Sequence, residues 1–322
     1  MKKINRAFVD FFNNCDGIGV YFLSNAGVIY DADIASSTLD RFRVDFCNEF
    51  KRKYTNEDDF SVVKLSNYDG RKHALYRYDF DAADMPLEMK FTNKVLAIKP
   101  TDTIPPFRIG NSKLNELKAV IVRLEDSVSG RKFAFYQHIY PVAIVGPDKG
   151  FLNLTSHQSR LVELEEDILK LNANFIYLQV GRHYFIENIK AFESILGFKS
   201  AIHSRAKQYS TKLSQTGLVD DLTMFNERID KETSFARKLV KVYKNSAVLK
   251  ESIPNADIIE FTKQKPHFRS LSMSVSDNAT SFKLDTVARC KQFLELLDDD
   301  FLKSELTGAD YISKSKDRVI PS

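Results

Sequence analysis

From Lys118 to Glu125 the chain reads as an alternating strand about the apolar centre Ala119-Val120-Ile121-Val122. It leads through Ser127-Val128-Ser129-Gly130 into a second extended run, Lys132 to Tyr140. Alternation at period two places successive side chains on opposite faces of an extended chain, and a short Ser/Gly link between two such runs closes an antiparallel hairpin. The chain is thereby committed to sheet. Its aromatic residues agree: 25 Phe and 13 Tyr with no Trp suit strands, whose pleated surface packs flat rings well.

The remaining segments mix strands and helices, so the reading is an α/β (α+β mixed) fold. Ile18 to Leu23 reads as a buried strand. The uncharged run from Gly17 to Tyr30 has only 14 residues and carries Ser24-Asn25 in its middle, whereas a membrane-spanning helix needs about 20 apolar residues. A strand and turn fit it better. Ser37 to Lys53 reads as an amphipathic helix, with Leu39, Phe42, Phe46 and Phe50 at helical spacing. Leu161, Leu164, Ile168 and Leu171 suggest another helix, with strand as the alternative at its end. Asn174 to Val180 and His183 to Glu187 form a second hairpin about Gly181. Helices follow at Ala191 to Leu196, Lys199 to Gln215 and about Glu227 to Leu249, with breaks at Gly197 and Gly217. Strands at Leu271 to Val275 and Ser281 to Leu284 precede a last helix from Asp285 to Leu297.

At 322 residues the chain is long for one core, and two domains are expected. An N-terminal mixed domain takes residues 1–150 and a C-terminal domain residues 151–322, divided near Gly150. The first residues, Met1-Lys-Lys-Ile-Asn-Arg, begin like a signal peptide, but Asp10, Asn13 and Asn14 interrupt the apolar stretch that should follow. Cys15, Cys47 and Cys290 are far apart and odd in number. They read as reduced thiols of a cytosolic protein.

A net charge of +4 decides little, but its distribution is informative. Lys199 to Ser214 holds four cations and no acid, and Phe235 to Lys250 five cations and no acid, before an acidic stretch at Asp298-Asp299-Asp300. On the first segment Ile202, Ala206, Tyr209 and Leu213 make a core stripe that leaves Lys199, Arg205, Lys207 and Lys212 outside it. On the second, Phe235, Leu239 and Val242 share one side, with Arg237, Lys241 and Lys244 opposite and Lys238 beside them. Such faces can track phosphates along a duplex; they are also what an ordinary solvated helix presents. Lys263, Lys265, His267 and Arg269 form a third basic cluster, expected in a loop.

Signatures of catalysis are sparse. Gly17-Ile-Gly19 lacks the third glycine of a dinucleotide fingerprint, and no spaced glycine pair is followed by Lys-Ser or Lys-Thr. The six histidines never fall three or four apart, so no two share a helix face for a metal. The chain is expected to use no cofactor, to hold no metal and not to be an enzyme. One rival is weighed: Asp81 or Asp84 with Glu88-Met-Lys90 resembles the Asp…Glu-x-Lys arrangement in which carboxylates hold Mg²⁺ and a lysine assists water. Glu116-Leu-Lys118 repeats the triplet, and a charged surface strand explains both.

The stretch Asp167-Ile-Leu-Lys-Leu, Asn174-Phe-Ile-Tyr-Leu, Tyr184-Phe-Ile-Glu-Asn and Phe192-Glu-Ser-Ile-Leu-Gly-Phe198 resembles the hairpin and Phe-Glu helix of the KwaB family, from the bacterial Kiwa anti-phage system. The resemblance covers roughly Lys132 to Leu297 and is carried mostly by apolar residues. It implies a cytosolic protein, recruited to the inner membrane through a membrane partner, KwaA. It also implies a homodimer that binds double-stranded DNA through this domain and interferes with phage replication or late transcription. No family motif assigns individual DNA contacts, so none is carried over. Phe192 is expected in the core and Glu193 near a helix start. The function expected is therefore DNA binding without cleavage. Its rivals are the Mg²⁺-dependent nuclease and an adaptor whose basic faces meet an acidic protein or an anionic membrane.

Overall fold

Two compact units divide the chain: residues 1–65 with 71–196, and residues 66–70 with 197–322. The structure, a computed structural model, describes residues 2–54, 60–68, 70–71, 73–108, 114–146, 153–157, 160–251, 253–276, 280–299, 301–303, 306 and 310–312. The sequence predicts a boundary near Gly150; the compact units part at Leu196 and Gly197. The second hairpin hydrogen-bonds directly to the first, so a cut near residue 150 would run through one sheet.

The first unit begins with α1 (Lys2–Asn14), β1 (Gly17–Ser24), β2 (Ile29–Asp31) and α2 (Ser36–Tyr54). β3 (Ser61–Lys64), β4 (Ala74–Arg77) and α3 (Met89–Ala97) lead to the central hairpin, β5 (Leu117–Asp126) and β6 (Arg131–His138). After it come β7 (Ile144–Val145), β8 (Leu154–His157), β9 (Arg160–Glu163), β10 (Ile168–Leu169), β11 (Tyr177–Val180), β12 (His183–Ile186) and α4 (Ile189–Ser194). The main sheet has eight strands in the order β2-β1-β5-β6-β11-β12-β4-β3. Each neighbouring pair in it is antiparallel except β3 with β4. Both expected hairpins are present, with Val122 opposite Phe135 in the first and Gln179 opposite Tyr184 in the second.

Period-two alternation gives this sheet two different faces. Val20, Phe22, Val122, Leu124, Phe133, Phe135, Leu178 and Phe185 point to one side, where they form a core with Phe8, Phe11 and Phe12 of α1 and Phe46, Cys47 and Phe50 of α2. Phe12 stacks on Phe50 with ring centroids 3.9 Å apart, and Phe11 on Phe133 at 3.7 Å. α1 is thus a core helix, built from the segment that begins like a signal peptide. On the other face Tyr136 and Tyr177 stack at 5.1 Å, and α3 covers buried polar groups. Thr92 Oγ1 donates to Gln179 Oε1 (2.6 Å), Gln179 Nε2 to Asn93 Oδ1, and Asn93 Nδ2 to the Tyr184 hydroxyl (2.7 Å). Buried polar atoms need such partners because losing one costs about 1–3 kcal/mol.

The helix expected around Leu161 to Leu171 is absent. β8 pairs with β9, and β10 with β7, while Leu161 is 70% exposed. Apolar residues spaced three and four apart imply a helix only where they share one buried face; here Leu164 is buried and Leu171 packs against the core while Leu161 and Ile168 are exposed. Phe192 is fully buried as expected. Glu193, however, lies near the end of α4, whose start is capped by Asn188 Oδ1 accepting from Ala191 N (3.0 Å).

The second unit is mainly helical: α5 (Phe198–Ser214), β13 (Val219–Asp221), α6 (Thr223–Lys231), α7 (Thr233–Asn245), α8 (Ala247–Lys250), α9 (Asn255–Gln264), α10 (Arg269–Ser272), β14 (Phe282–Lys283) and α11 (Val287–Asp298), then β15 (Phe301–Lys303) and β16 (Asp310–Ile312). Gly197 at φ 72° and Gly217 at φ 67° bracket α5, a conformation that favours glycine. The single helix expected from Glu227 to Leu249 is three helices. Glu232 (φ −127°, ψ 102°) and Ser246 (φ −55°, ψ 123°) leave the helical region, and Ser246 Oγ accepts from Leu249 N at 3.1 Å to start α8. Of the strand expected at Leu271 to Val275, only an isolated bridge from Val275 to Phe282 remains; Leu271 belongs to α10.

Phe12→Ala should destabilise the protein by about 3–5 kcal/mol, the usual cost of emptying an aromatic site in a packed core. Urea unfolding of the variant against the parent measures it.

Candidate nucleic-acid interface

The eight basic residues singled out by the sequence lie on two helices of the second unit. On α5, Phe198, Ile202, Ala206 and Leu213 are buried, and Lys199, Lys207 and Lys212 are exposed; Arg205 is half-buried. On α7 the buried face is wider than three residues, comprising Phe235, Ala236, Leu239, Val240 and Val242. Lys244 is exposed, and Arg237, Lys238 and Lys241 are half-buried. The helices meet through Tyr209 and Tyr243, whose rings stack at 4.3 Å and 16°.

The α7 cations are not a freely solvated face. Lys241 Nζ lies 3.2 Å from Asp298 Oδ2, with side chains 22% and 9% exposed, and Lys238 Nζ lies 4.0 Å from Glu295 Oε1. Arg237 places its guanidinium 4.6 Å from the Tyr68 ring centroid. The wheel correctly separated these cations from Leu239, but it could not show that the acidic side of α11 packs against them. Glu295 and Asp298 stand three residues apart, one helical face, and that spacing was the available signal.

Lys199, Lys207 and Lys212 of α5 are less constrained. Lys207 pairs with Asp230 at 2.7 Å, yet both side chains are more than half exposed (56% and 54%). Such a pair contributes under about 1 kcal/mol, so Lys207 can exchange it for a phosphate. Arg205, Tyr209 and Lys212 recur at i, i+4 and i+7, and Lys212 Nζ sits 5.8 Å from the Tyr209 ring centroid. Within α5 itself no acid lies between Lys199 and Ser214, and the acid that meets Lys207 comes from α6. His203, whose Nε2 is 3.1 Å from Thr233 Oγ1, is held below the ordinary imidazole range by burial and then by Lys199. It adds no charge near neutrality.

The third basic cluster is ordered, not a loop. Lys263 pairs with Glu260 at 3.2 Å, His267 Nε2 lies 3.0 Å from Glu295 Oε2, and Lys265 sits 5.8 Å from the Phe261 ring.

The nuclease-like triplet lies in the first unit. Asp81 and Asp84 flank a short turn before α3, and Glu88 precedes the helix. Glu88 Oε1 accepts from Lys118 Nζ at 2.6 Å, with the carboxylate side chain 13% exposed, while Lys90 Nζ lies over the Phe91 ring at 5.2 Å. The lysine of the second triplet thus partners the glutamate of the first. Among the described residues no group of three or more His, Cys, Asp or Glu is arranged to hold a metal ion. His138, nearby on β6, is kept below the ordinary imidazole range by burial and then by Lys118.

The family described as Kiwa protein KwaB-like matches residues 114–307, a span that crosses both compact units. A protein of Escherichia coli O55:H7 (strain RM12579 / EPEC), named Kiwa protein KwaB, is 28% identical over 321 residues, which is 99% of this chain and 98% of the relative. No solved structure matches the chain significantly.

Lys241→Glu should lower stability by about 2 kcal/mol or more, because Asp298 is nearly buried and would face a like charge. Lys207→Glu, between exposed partners, should change it by under about 0.5 kcal/mol. Urea unfolding of the two variants makes the comparison. A second outcome concerns His138. Its folded-state pKa is depressed, so the stability it contributes is complete above the unfolded value of about 6.5 and is lost as pH falls through it. His138→Asn should therefore flatten the decline in melting temperature between about pH 7 and pH 5.

Proposed function

This chain belongs to the Kiwa protein KwaB-like family, and we propose that it is an anti-phage defence protein that binds DNA without cutting it, blocking phage replication or transcription. The observation that carries the DNA reading is the surface of α5. Lys199, Lys207 and Lys212 project from a helix without acids, and Arg205, Tyr209 and Lys212 line up beside an aromatic stack. Cations supply phosphate contacts that are indifferent to sequence, and binding of that kind obstructs a moving polymerase by occupancy alone. Lys244 extends the surface. Arg237, Lys238 and Lys241 add positive field while engaged with Tyr68, Glu295 and Asp298.

The partner side of the proposal follows from the family. A Kiwa system component acts with KwaA, and no helix among the described residues is long and apolar enough to cross a membrane. Membrane recruitment would then come through that partner, with the chain itself in the cytoplasm as a homodimer. The nuclease reading is disfavoured because Glu88 is engaged by Lys118. The adaptor reading has the same basic surface in its favour and differs in its target.

Lys199→Glu, Lys207→Glu and Lys212→Glu together should weaken duplex DNA binding strongly while leaving the melting temperature nearly unchanged. Three lost phosphate contacts should flatten the slope of log affinity against log salt by as much as about 2.7. Fluorescence anisotropy across a salt series reads both effects, with plasmid and Mg²⁺ in parallel to check that the DNA stays intact. A well-folded triple variant with the parental affinity and slope would remove α5 from the interface. Binding to anionic vesicles but not to DNA would favour the adaptor.

A further inference from the structure

Cys15 and Cys47 stand 32 positions apart in the chain, and folding brings them together. Cys15 occupies the short link between α1 and β1, and Cys47 lies on the buried side of α2. Arg43, four residues before Cys47, is on the same face of α2 and donates from Nη1 to the Cys15 carbonyl oxygen at 2.7 Å. That bond pins the link onto α2 one turn from Cys47, both cysteines belong to the same core cluster, and each is the strongest influence on the other's thiol; the Cys15 Sγ also lies 3.7 Å from the Gly17 carbonyl oxygen. Both are free, with exposures of 7% and 6%.

We propose that Cys15 and Cys47 are an oxidation site, which a hydroperoxide converts into a disulfide joining the end of α1 to α2. The pair is chemically asymmetric. The Cys47 thiol donates to the Cys15 sulfur, which lowers the Cys15 pKa more than burial raises it, and the Arg43 charge lowers it further; the same bond, with burial, raises Cys47. Cys15 is therefore the nucleophile, since the thiolate is the reactive form. Its sulfur attacks a peroxide oxygen, an S–O bond forms, the O–O bond breaks, and the departing hydroxide takes a proton to become water. Cys47, deprotonated, then attacks the Cys15 sulfur. The S–S bond forms and the S–O bond breaks, and the second hydroxide leaves as water with the Cys47 proton. In total two thiols lose two electrons and two protons, and one hydrogen peroxide becomes two waters. Cys290 supplies an internal contrast: it is fully buried in the second unit, and its thiol is pushed up to about 11 chiefly by burial.

The test treats the reduced full-length chain with hydrogen peroxide, blocks remaining thiols with iodoacetamide, and maps peptides without reduction. The expected product has lost the mass of two hydrogens, links the Cys15 and Cys47 peptides within one chain, leaves Cys290 unoxidised, and is reversed by dithiothreitol. Cys47→Ser should instead leave a sulfenic acid on Cys15 that dimedone traps, and Cys15→Ser should leave Cys47 unoxidised. The wild-type map needs no substitution, so it decides the matter even where a serine variant fails to fold. Recovery of Cys15 and Cys47 as separate alkylated peptides, a link between two chains, or oxidation of Cys290 as fast as Cys15 would each overturn the proposal.

Discussion

Phe12 lies between Phe50 of α2, at 3.9 Å, and Phe133 of β6, at 5.6 Å, and the first unit is organised around that contact. Phe8 and Phe11, on the same helix, reach Phe185 and Phe133, so one short helix touches both hairpins. Aromatic pairs add about 0.5–1.5 kcal/mol each beyond the area they bury, and these pairs share rings, so the helix docks as a block. The same docking brings the end of α1 over α2, where Arg43 holds the Cys15 link. The thiol pair is a by-product of how the phenylalanines pack.

The opposite face of the sheet solves a different problem. It buries polar side chains under a nine-residue helix, and it does so by giving Thr92, Asn93, Gln179 and Tyr184 to one another. Lys118 and Glu88 close the rim of that network. Two similar charged triplets, which in sequence resemble alternative metal sites, become the two ends of one ion pair.

In the second unit the decisive quantity is how much of each cation the fold leaves to solvent. α5 and α7 carry comparable runs of positive charge, yet α11 sets Glu295 and Asp298 against α7. A cation paired with a nearly buried acid is expensive to redirect to a phosphate, whereas one with an exposed partner is cheap. This is why the proposal for DNA rests on α5. The family match from residue 114 to 307 spans both hairpins of the first unit and the helices α5 to α11 of the second.

Both hairpins, α2, α5 and α11 were legible in the sequence because their evidence is local: alternation, helical spacing, and glycines at Gly181, Gly197 and Gly217 where the backbone turns to positive φ. The basic surface of α5 was legible for the same reason, since no acid interrupts it. What local pattern could not supply was the partner of each face. Leu161 to Leu171 has helical spacing, but Leu164 and Leu171 turn inward while Leu161 and Ile168 face solvent, and the chain there forms short strands. Glu232 and Ser246 divide a continuous helical pattern because the segments turn to pack separately. Lys241 meets Asp298 across 57 positions, Lys118 meets Glu88 across 30, and Cys15 meets Cys47 across the β1–β2 hairpin. Composition and periodicity determined which elements form and what charge they carry. Only the tertiary structure decided which charges are already paired, which are left to solvent, and which thiols share a core, because those depend on distances between residues that the sequence keeps far apart.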